Sequence, residues 1–193
     1  SNGMPGVPRG KCNLYDLGVR APLLVRWPGK ARAGLVLDDF VNLMDLAPSF
    51  VEAAGLPAMK GVDGKSLIPL LTTEAKGGTV DKTRDFVITS RERHVPDARA
   101  GNLPYPSRAI RTRDYLYIRN FKPERRPMGD RVPTVESMSF DELAATHDLL
   151  TYKDMDASPT KAWILKNRHA TEGAIAYDIA FGKRPEEELY DLR

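Results

Sequence analysis

The sequence contains one cysteine and three histidines among 193 residues. The single thiol, Cys12, excludes an internal disulfide and a zinc site built from four cysteines. No segment approaches the roughly 18 consecutive apolar residues that a membrane-spanning helix needs, so no span is predicted. The formal net charge of +3 is small, and the basic residues are spread along the chain, which argues against nucleic acid as a partner.

The composition is that of a globular protein. Hydrophobic residues make up 41% of the chain and charged residues 28%, which predicts a folded core rather than disorder. The length suits one domain or one large fragment of a larger domain.

The first half of the chain combines short apolar runs with one helix. Asp45 precedes the helical pattern and Gly55 ends it, while Pro48 lies in the first turn, where its missing N–H is harmless. Three apolar runs bounded by turn residues are predicted to be strands. They are Ala21–Trp27, Leu35–Val41 and Phe86–Thr89.

The second half begins with a different pattern. Apolar and arginine side chains interleave over Ser107–Phe121 around the turn Arg113-Asp114, which predicts an antiparallel hairpin. The tail is predicted to be helical, with helix starts at a capping box, a Ser-Pro pair and a threonine. These are Ser139 with Glu142, Ser158-Pro159 and Thr171. The order of elements predicts an α/β architecture followed by a small α+β part.

Two loops carry side chains suited to anions. Lys11 follows Gly10 in a glycine-rich loop, and an ammonium group with three donors suits a tetrahedral anion such as sulfate or phosphate. His94 lies in a loop with Arg91 and Arg93, a cluster able to contact an anionic sugar. The other two histidines, His147 and His169, fall within helical patterns and are interpreted as structural or surface residues.

The spacing of several motifs resembles the sulfatase family. In that family an Asp-Asn-Gly motif leads through a Gly-Lys pair to a Tyr-x-x-Gly-x-Arg-x-Pro segment that ends in Trp-Pro-Gly. The matching residues here are Asn2-Gly3, Gly10-Lys11, Tyr15–Pro22 and Trp27-Pro28-Gly29, followed by Val41–Phe50, Ser107–Thr112, Tyr117–Phe121 and Glu188–Leu192. The loops Ser90–His94 and Arg184–Glu187 are more similar to the sulfamidase (heparan N-sulfatase) branch than to the arylsulfatases.

The resemblance implies a fold and a compartment. The expected fold is the C-terminal part of an alkaline-phosphatase-like α/β domain, a mixed sheet with flanking helices, plus a small antiparallel C-terminal subdomain. Residues 1–100 would belong to the catalytic α/β domain, and residues 101–193 would form the hairpin and helices of the subdomain. The family also favours a periplasmic or secreted protein.

The resemblance further implies the chemistry. Sulfatases use a formylglycine made from a Cys/Ser-x-Pro-x-Arg motif, together with a calcium ion, to hydrolyse sulfated small molecules or glycans. No such motif occurs in this chain, since Cys12 is followed by Asn-Leu-Tyr. Lys11 matches the lysine that contacts sulfate, and Asn2 matches an amide ligand of calcium, although Ser1 replaces the preceding aspartate. Arg91, Arg93 and His94 are the predicted substrate-binding residues.

Three functions stay open at this point. The first is a sulfatase fragment that is inactive alone, with about two hundred further residues, including the nucleophile motif, encoded upstream. The second is a phosphoester or phosphonate hydrolase of the same superfamily. The third is a non-catalytic module that binds anionic glycans. An incomplete sheet would also expose an edge, which predicts self-association of a fragment.

Overall fold

A computed structural model of the chain describes residues 3–145 and 150–193, and at position 136 it describes the backbone alone. Asn2 and His147 lie outside the described residues. The helices are Asp16–Val19 (α1), Leu46–Ala53 (α2), Ile68–Leu71 (α3), Phe140–Ala145 (α4), Pro159–Asn167 (α5) and Thr171–Phe181 (α6); the strands are Phe86–Arg91 (β1), Ser107–Thr112 (β2), Tyr115–Asn120 (β3) and Glu187–Asp191 (β4); short 3-10 turns lie at Leu43–Asp45, Ala100–Asn102 and Pro133–Ser137.

The chain divides into two compact units. The first combines the N-terminal segment up to Pro22 with Ile88–Ile110 and Asp114–Arg193, and the second combines Leu23–Val87 with Arg111–Arg113. The expected boundary at residue 100 refers to domains of a complete sulfatase and stays a prediction. Within the two described stretches, no helix combines the length and the apolar character needed to cross a membrane.

A four-stranded sheet with the order β1-β2-β3-β4 forms part of the first unit. The predicted hairpin is confirmed: β2 and β3 are joined at Arg113-Asp114. The strand β4 pairs antiparallel with β3, with Tyr117 opposite Leu189. The local sequence does not predict β4, because consecutive glutamates are not typical of a strand. The mixture of sheet and helices confirms the predicted α/β class.

The helices α4 to α6 enclose the larger apolar core of the first unit. Phe181 and Tyr152 are fully buried and stack with ring centroids 4.1 Å apart. Two of the predicted caps are present: Ser139 Oγ accepts from the Glu142 N–H at 3.2 Å, and Ser158 Oγ accepts from the Lys161 N–H at 3.1 Å. Each cap satisfies a backbone donor that the first helical turn leaves without a partner. Thr171 begins α6 but does not cap it, since the N-cap residue is Ala170, whose side chain makes no capping bond.

The second unit is built around a buried carboxylate. Asp45 was predicted to cap a helix, but its backbone is helical and its side chain makes no capping bond to α2. The carboxylate instead accepts from the backbone N–H of Asn42 at 3.0 Å, the backbone N–H of Lys65 at 2.8 Å and Arg84 Nη1 at 2.7 Å. Asp45 therefore joins three segments of the unit, a role that local sequence does not reveal.

Two of the predicted strands are absent from this structure. Residues 21–27 form no regular secondary structure, and Leu24 is 88% exposed. The run Leu35–Val41 contributes only an isolated bridge between Leu37 and Gly78. The physical reason is that a strand needs a neighbour to pair its N–H and C=O groups. Within this unit the apolar run 21–27 has no such neighbour.

Replacement of Phe181 tests the core. Phe181→Ala is expected to lower the free energy of unfolding by about 3–5 kcal/mol, because it leaves a cavity beside Tyr152. Ile175→Ala in the same helix is the control, since Ile175 is 60% exposed, and it should change stability by about 0.5 kcal/mol or less. Urea unfolding of both variants measures the difference in the free energy of unfolding. Equal losses would contradict the conclusion that Phe181 belongs to the core and Ile175 to the surface.

Candidate functional site

Lys11 is displayed on a tight backbone turn. The Lys11 N–H donates to the carbonyl of Met4 at 2.8 Å, and the buried Asn13 amide donates to the carbonyls of Gly10 and Lys11 at 3.2 Å each. A Cβ atom at Gly10 would lie 2.2 Å from the Met4 carbonyl oxygen, so only glycine fits there. These contacts fix the backbone at Lys11, and the long side chain extends from this fixed position.

The Lys11 ammonium contacts an oxyanion in this structure, the Asp156 carboxylate. Lys11 Nζ lies 3.1 Å from both carboxylate oxygens. The two side chains keep 20% and 31% of their surface exposed. The pair thus retains contact with solvent, which screens part of the attraction between the two charges.

Asp154, two residues earlier, is completely buried and binds two arginines. Its carboxylate accepts from Arg91 Nη2 at 2.6 Å and from Arg99 Nη2 at 2.9 Å. It also accepts from the backbone N–H of Val95 at 3.1 Å. His94 Nδ1 lies 3.6 Å from the same carboxylate. Asp154 therefore anchors the loop that follows β1.

The two guanidinium groups flank an aromatic ring. Arg91 and Arg99 lie 5.6 Å and 5.4 Å from the ring centroid of Tyr105, within the range of cation–π attraction. Desolvation lowers the pKa of Arg91, and the charge of Asp154 opposes that shift. Burial raises the pKa of Tyr105 to about 12, which keeps its phenol protonated. The cluster carries two positive charges against one negative charge.

Cys12 lies close to both ion pairs but is not activated. Burial raises the pKa of its thiol to about 11, and the charges of Arg91, Asp154, Lys11 and Asp156 act on it with opposing signs. Since the thiolate is the nucleophilic form, a thiol with this pKa is inert at neutral pH. Cys12 packs instead against the larger apolar core of the first unit.

Lys161 on α5 supports the segment that carries both aspartates. Its buried ammonium donates to the carbonyl of Tyr152 at 3.2 Å and to the carbonyl of Met155 at 2.7 Å. Burial lowers the pKa of Lys161 to about 8, while Asp156 and Asp154 oppose that shift. The lysine fixes the backbone on both sides of Asp154.

The structure brings together most of the residues predicted from the sequence. Lys11, Arg91 and His94 lie around one group of charges, and Arg93 is exposed on the His94 loop. Arg91 is turned inward to Asp154. Asp154, Asp156 and Lys161 are not predicted by the sequence, in which the closely spaced aspartates of Lys-Asp-Met-Asp match no motif.

Calcium binding stays a prediction. Within residues 3–145 and 150–193, no group of three or more His, Cys, Asp or Glu side chains is placed to hold a metal ion. Calcium takes six to eight oxygen ligands, which include amide and backbone carbonyl oxygens as well as carboxylates. The only ligand expected from this chain, Asn2, lies outside the described residues.

The sequence of this chain matches the C-terminal region of a family of sulfatase-type proteins. The family model described as N-sulphoglucosamine sulphohydrolase, C-terminal, matches residues 10–125. That range is more than half of the chain and includes Lys11, Arg91, Arg93 and His94. The chain belongs to this family.

The relatives are sulfatases of several kinds. An ulvan-active sulfatase of Formosa agariphila is 30% identical over 112 residues, 58% of this chain and 21% of the relative. The mouse steryl-sulfatase is 43% identical over 77 residues, 38% of this chain and 12% of the relative. A solved structure, described as a complex with its substrate D-glucosamine-2-N,6-O-disulfate, is 26% identical, covers 49% of this chain and 18% of that chain, and has a TM-score of 0.35. The chain spans about a fifth or less of these proteins, and the sulfamidase branch stays a prediction.

Removal of the Asp154 charge tests the buried cluster. Asp154→Asn is expected to lower the free energy of unfolding by about 3–5 kcal/mol, because Arg91 and Arg99 lose their buried partner. Asp156→Asn is the matched control, and the loss of its partly exposed pair should cost about 1 kcal/mol or less. Urea unfolding at neutral pH compares the two variants. Similar losses in the free energy of unfolding would show that the burial of Asp154 does not determine how much its charge stabilises the fold.

The lowered pKa of Lys161 predicts a pH dependence of stability. Above pH 8 the folded chain releases a proton that the unfolded chain still holds, so the free energy of unfolding rises with pH. The rise from pH 7.5 to pH 9 should be about 1 kcal/mol. Above pH 9 the raised pKa of Cys12 acts in the opposite direction, because the unfolded thiol ionises first. Lys161→Met should abolish the rise, whereas Lys166→Met at an exposed position of α5 should retain it.

Proposed function

We propose that this chain forms the C-terminal part of a sulfatase, which hydrolyses sulfate esters or N-sulfates of a small molecule or glycan. The observation that carries the proposal is the contact of Lys11 with both oxygens of a carboxylate at 3.1 Å, on a turn within the family match. The relatives named above are sulfatases, which favours this proposal over hydrolysis of a phosphoester or phosphonate.

Lys11 is proposed to hold a sulfate oxygen. The Asp156 carboxylate stands in for that oxyanion in the structure, since both present two equivalent oxygens to one ammonium. A sulfuryl group is anionic, and fixed positive charge beside it stabilises the charge that its oxygens carry in the transition state. The fixed turn at Gly10 supports this role because the cation is already in place before the substrate arrives.

The loop after β1 is proposed to contact the rest of the substrate. Arg93 is exposed, and the His94 side chain keeps 34% of its surface exposed. Arg91 is buried beneath the loop and adds its positive charge there. It also supports the loop through its bond to Asp154. A charged group on a sugar would meet hydrogen-bond donors here, and charge-assisted bonds of this type are stronger than neutral ones.

The remaining parts of the site are proposed to come from sequence outside this chain. The formylglycine nucleophile would lie in a Cys/Ser-x-Pro-x-Arg motif elsewhere in the complete protein. Calcium, when bound, would neutralise sulfate charge, and Asn2 would supply one amide oxygen, a ligand of the type that calcium prefers. This chain alone is therefore proposed to bind the anion without turning it over.

Substitution of Lys11 in the complete protein tests the proposal. Lys11→Ala should lower kcat/KM on a sulfated substrate by about 100-fold, the size expected when one charge-stabilising donor is lost. Lys82→Ala is the control, because Lys82 is an exposed lysine of the second unit, and its activity should stay within twofold of the parent. Unchanged turnover in Lys11→Ala would remove Lys11 from the site.

The isolated chain provides a separate test. It should hydrolyse no sulfated substrate even with calcium added, while binding of a sulfated glycan in the absence of turnover is expected and would be weakened by Lys11→Ala. Measurable turnover by the isolated chain would contradict the proposed division of the site.

A further inference from the structure

Glu188 is a buried carboxylate outside the candidate site. It lies on β4, where it is 7% exposed, and it accepts three hydrogen bonds. The Tyr15 hydroxyl donates to Oε2 at 2.8 Å, the Tyr190 hydroxyl donates to Oε2 at 2.5 Å, and Asn120 Nδ2 donates to Oε1 at 2.8 Å. Glu188 thus joins β3 and β4 to the N-terminal segment.

Aromatic and cationic contacts reinforce the bond between Glu188 and Tyr15. The Tyr15 and Tyr190 rings pack edge to face with centroids 5.8 Å apart. The Arg9 guanidinium lies 4.6 Å from the Tyr15 centroid and 5.6 Å from the Tyr190 centroid. Burial raises the pKa of Tyr15, so its hydroxyl remains a donor at neutral pH. Arg9 itself precedes Lys11 by two residues.

Backbone hydrogen bonds connect Tyr15 to Lys11. The carbonyl of Tyr15 accepts from the Gly18 N–H at 2.8 Å within the α1 turn, and the Leu17 carbonyl accepts from the Met4 N–H at 2.9 Å. The Met4 carbonyl then accepts from the Lys11 N–H at 2.8 Å. The Tyr15 side chain is thus connected to Lys11 through the covalent backbone of α1 and two hydrogen bonds between backbone groups.

Close backbone contacts leave this segment little room to adjust. A Cβ atom at Gly18 would lie 2.2 Å from the carbonyl oxygen of Asn13 and 2.6 Å from that of Gly10. A Cβ atom at Gly3 would lie 2.3 Å from the carbonyl oxygen of Gly18. Because the backbones touch directly, a displacement of α1 must also displace the turn that carries Lys11.

We infer that Glu188 is a positioning residue for Lys11, and that it acts through the hydroxyl of Tyr15 to fix the turn on which the lysine lies. The effect on turnover rests on the proposed function, whereas the effect on the N-terminal segment does not. The neighbouring Glu187 is exposed and pairs with Arg119 at 3.2 Å on the outer face of the sheet, so the same strand offers a control.

Hydrogen exchange on the full chain tests the mechanical part of the inference. Tyr15→Phe and Tyr190→Phe each remove one hydroxyl from Glu188 Oε2, but only Tyr15 belongs to the Lys11 segment. Tyr15→Phe and Glu188→Gln should speed amide exchange of residues 4–18 by about tenfold relative to the amides of α6, which report the core. Tyr190→Phe and Glu187→Gln should leave that ratio within twofold. Equal effects of the two tyrosine variants would overturn the inference.

Kinetics of the complete protein test the functional part. Tyr15→Phe should lower kcat/KM about tenfold, since a small misplacement of a catalytic group is enough for such a loss. In a Lys11→Ala background, Tyr15→Phe should cause no further loss, because its effect passes through the lysine. Additive losses would overturn the inference.

The two proposals fail in different ways. If Lys11→Ala leaves turnover unchanged, the proposed role of Lys11 fails, and hydrogen exchange still decides whether Glu188 holds the segment. If Lys11→Ala lowers turnover and Tyr15→Phe does not, Lys11 keeps its role and the positioning by Glu188 is wrong.

Discussion

The first unit depends on the burial of one carboxylate between two guanidinium groups. Asp154 has no exposed surface, and Arg91 and Arg99 retain only 8% and 3% of theirs. Removing such charges from water costs several kcal/mol for each ion, and the cost is offset only when the partners meet at short distance with their hydrogen bonds satisfied. The bonds of 2.6 Å and 2.9 Å meet the distance condition, while Arg91 Nε and Arg99 Nη1 are buried without a hydrogen-bond partner among the described residues. The position of the loop after β1 is therefore set by where Asp154 can be neutralised.

Asp154 and Asp156 show how burial separates two similar side chains. Both lie on one short segment, and Lys161 holds the carbonyl of the residue between them. Asp154 faces inward, where its loss would leave two cations without a partner. Asp156 faces outward, where water screens its attraction to Lys11 and the pair is easily exchanged. One backbone segment thus carries a fully buried anion that binds two arginines and a partly exposed anion that pairs with Lys11.

Local signals predicted the elements that depend on local interactions. The box of Ser139 with Glu142 and the Ser158 cap involve residues three apart, so the sequence contains both partners of each bond. The hairpin is likewise a local structure. The strand predicted at residues 21–27 does not form, because strand pairing depends on a distant partner that no local pattern specifies. Lys11 and Asp156 are 145 residues apart, and Arg91 and Asp154 are 63 apart. Motifs could therefore indicate Lys11 and His94, while the residues that hold them could be found only in the folded chain.

The family match and the supporting residues fall in different parts of the chain. The match covers residues 10–125, which include Lys11, Arg91 and His94. Asp154, Asp156, Lys161 and Glu188 lie beyond it, yet they set the position of the loop after β1, the charge facing Lys11 and the link to the N-terminal turn. Two proteins could share every motif of the matched range and still present the lysine differently if their tails differ. The matched motifs thus lie toward the N-terminus of this chain, whereas contacts that hold the Lys11 turn and the loop after β1 come from the segment before α5 and from the last strand.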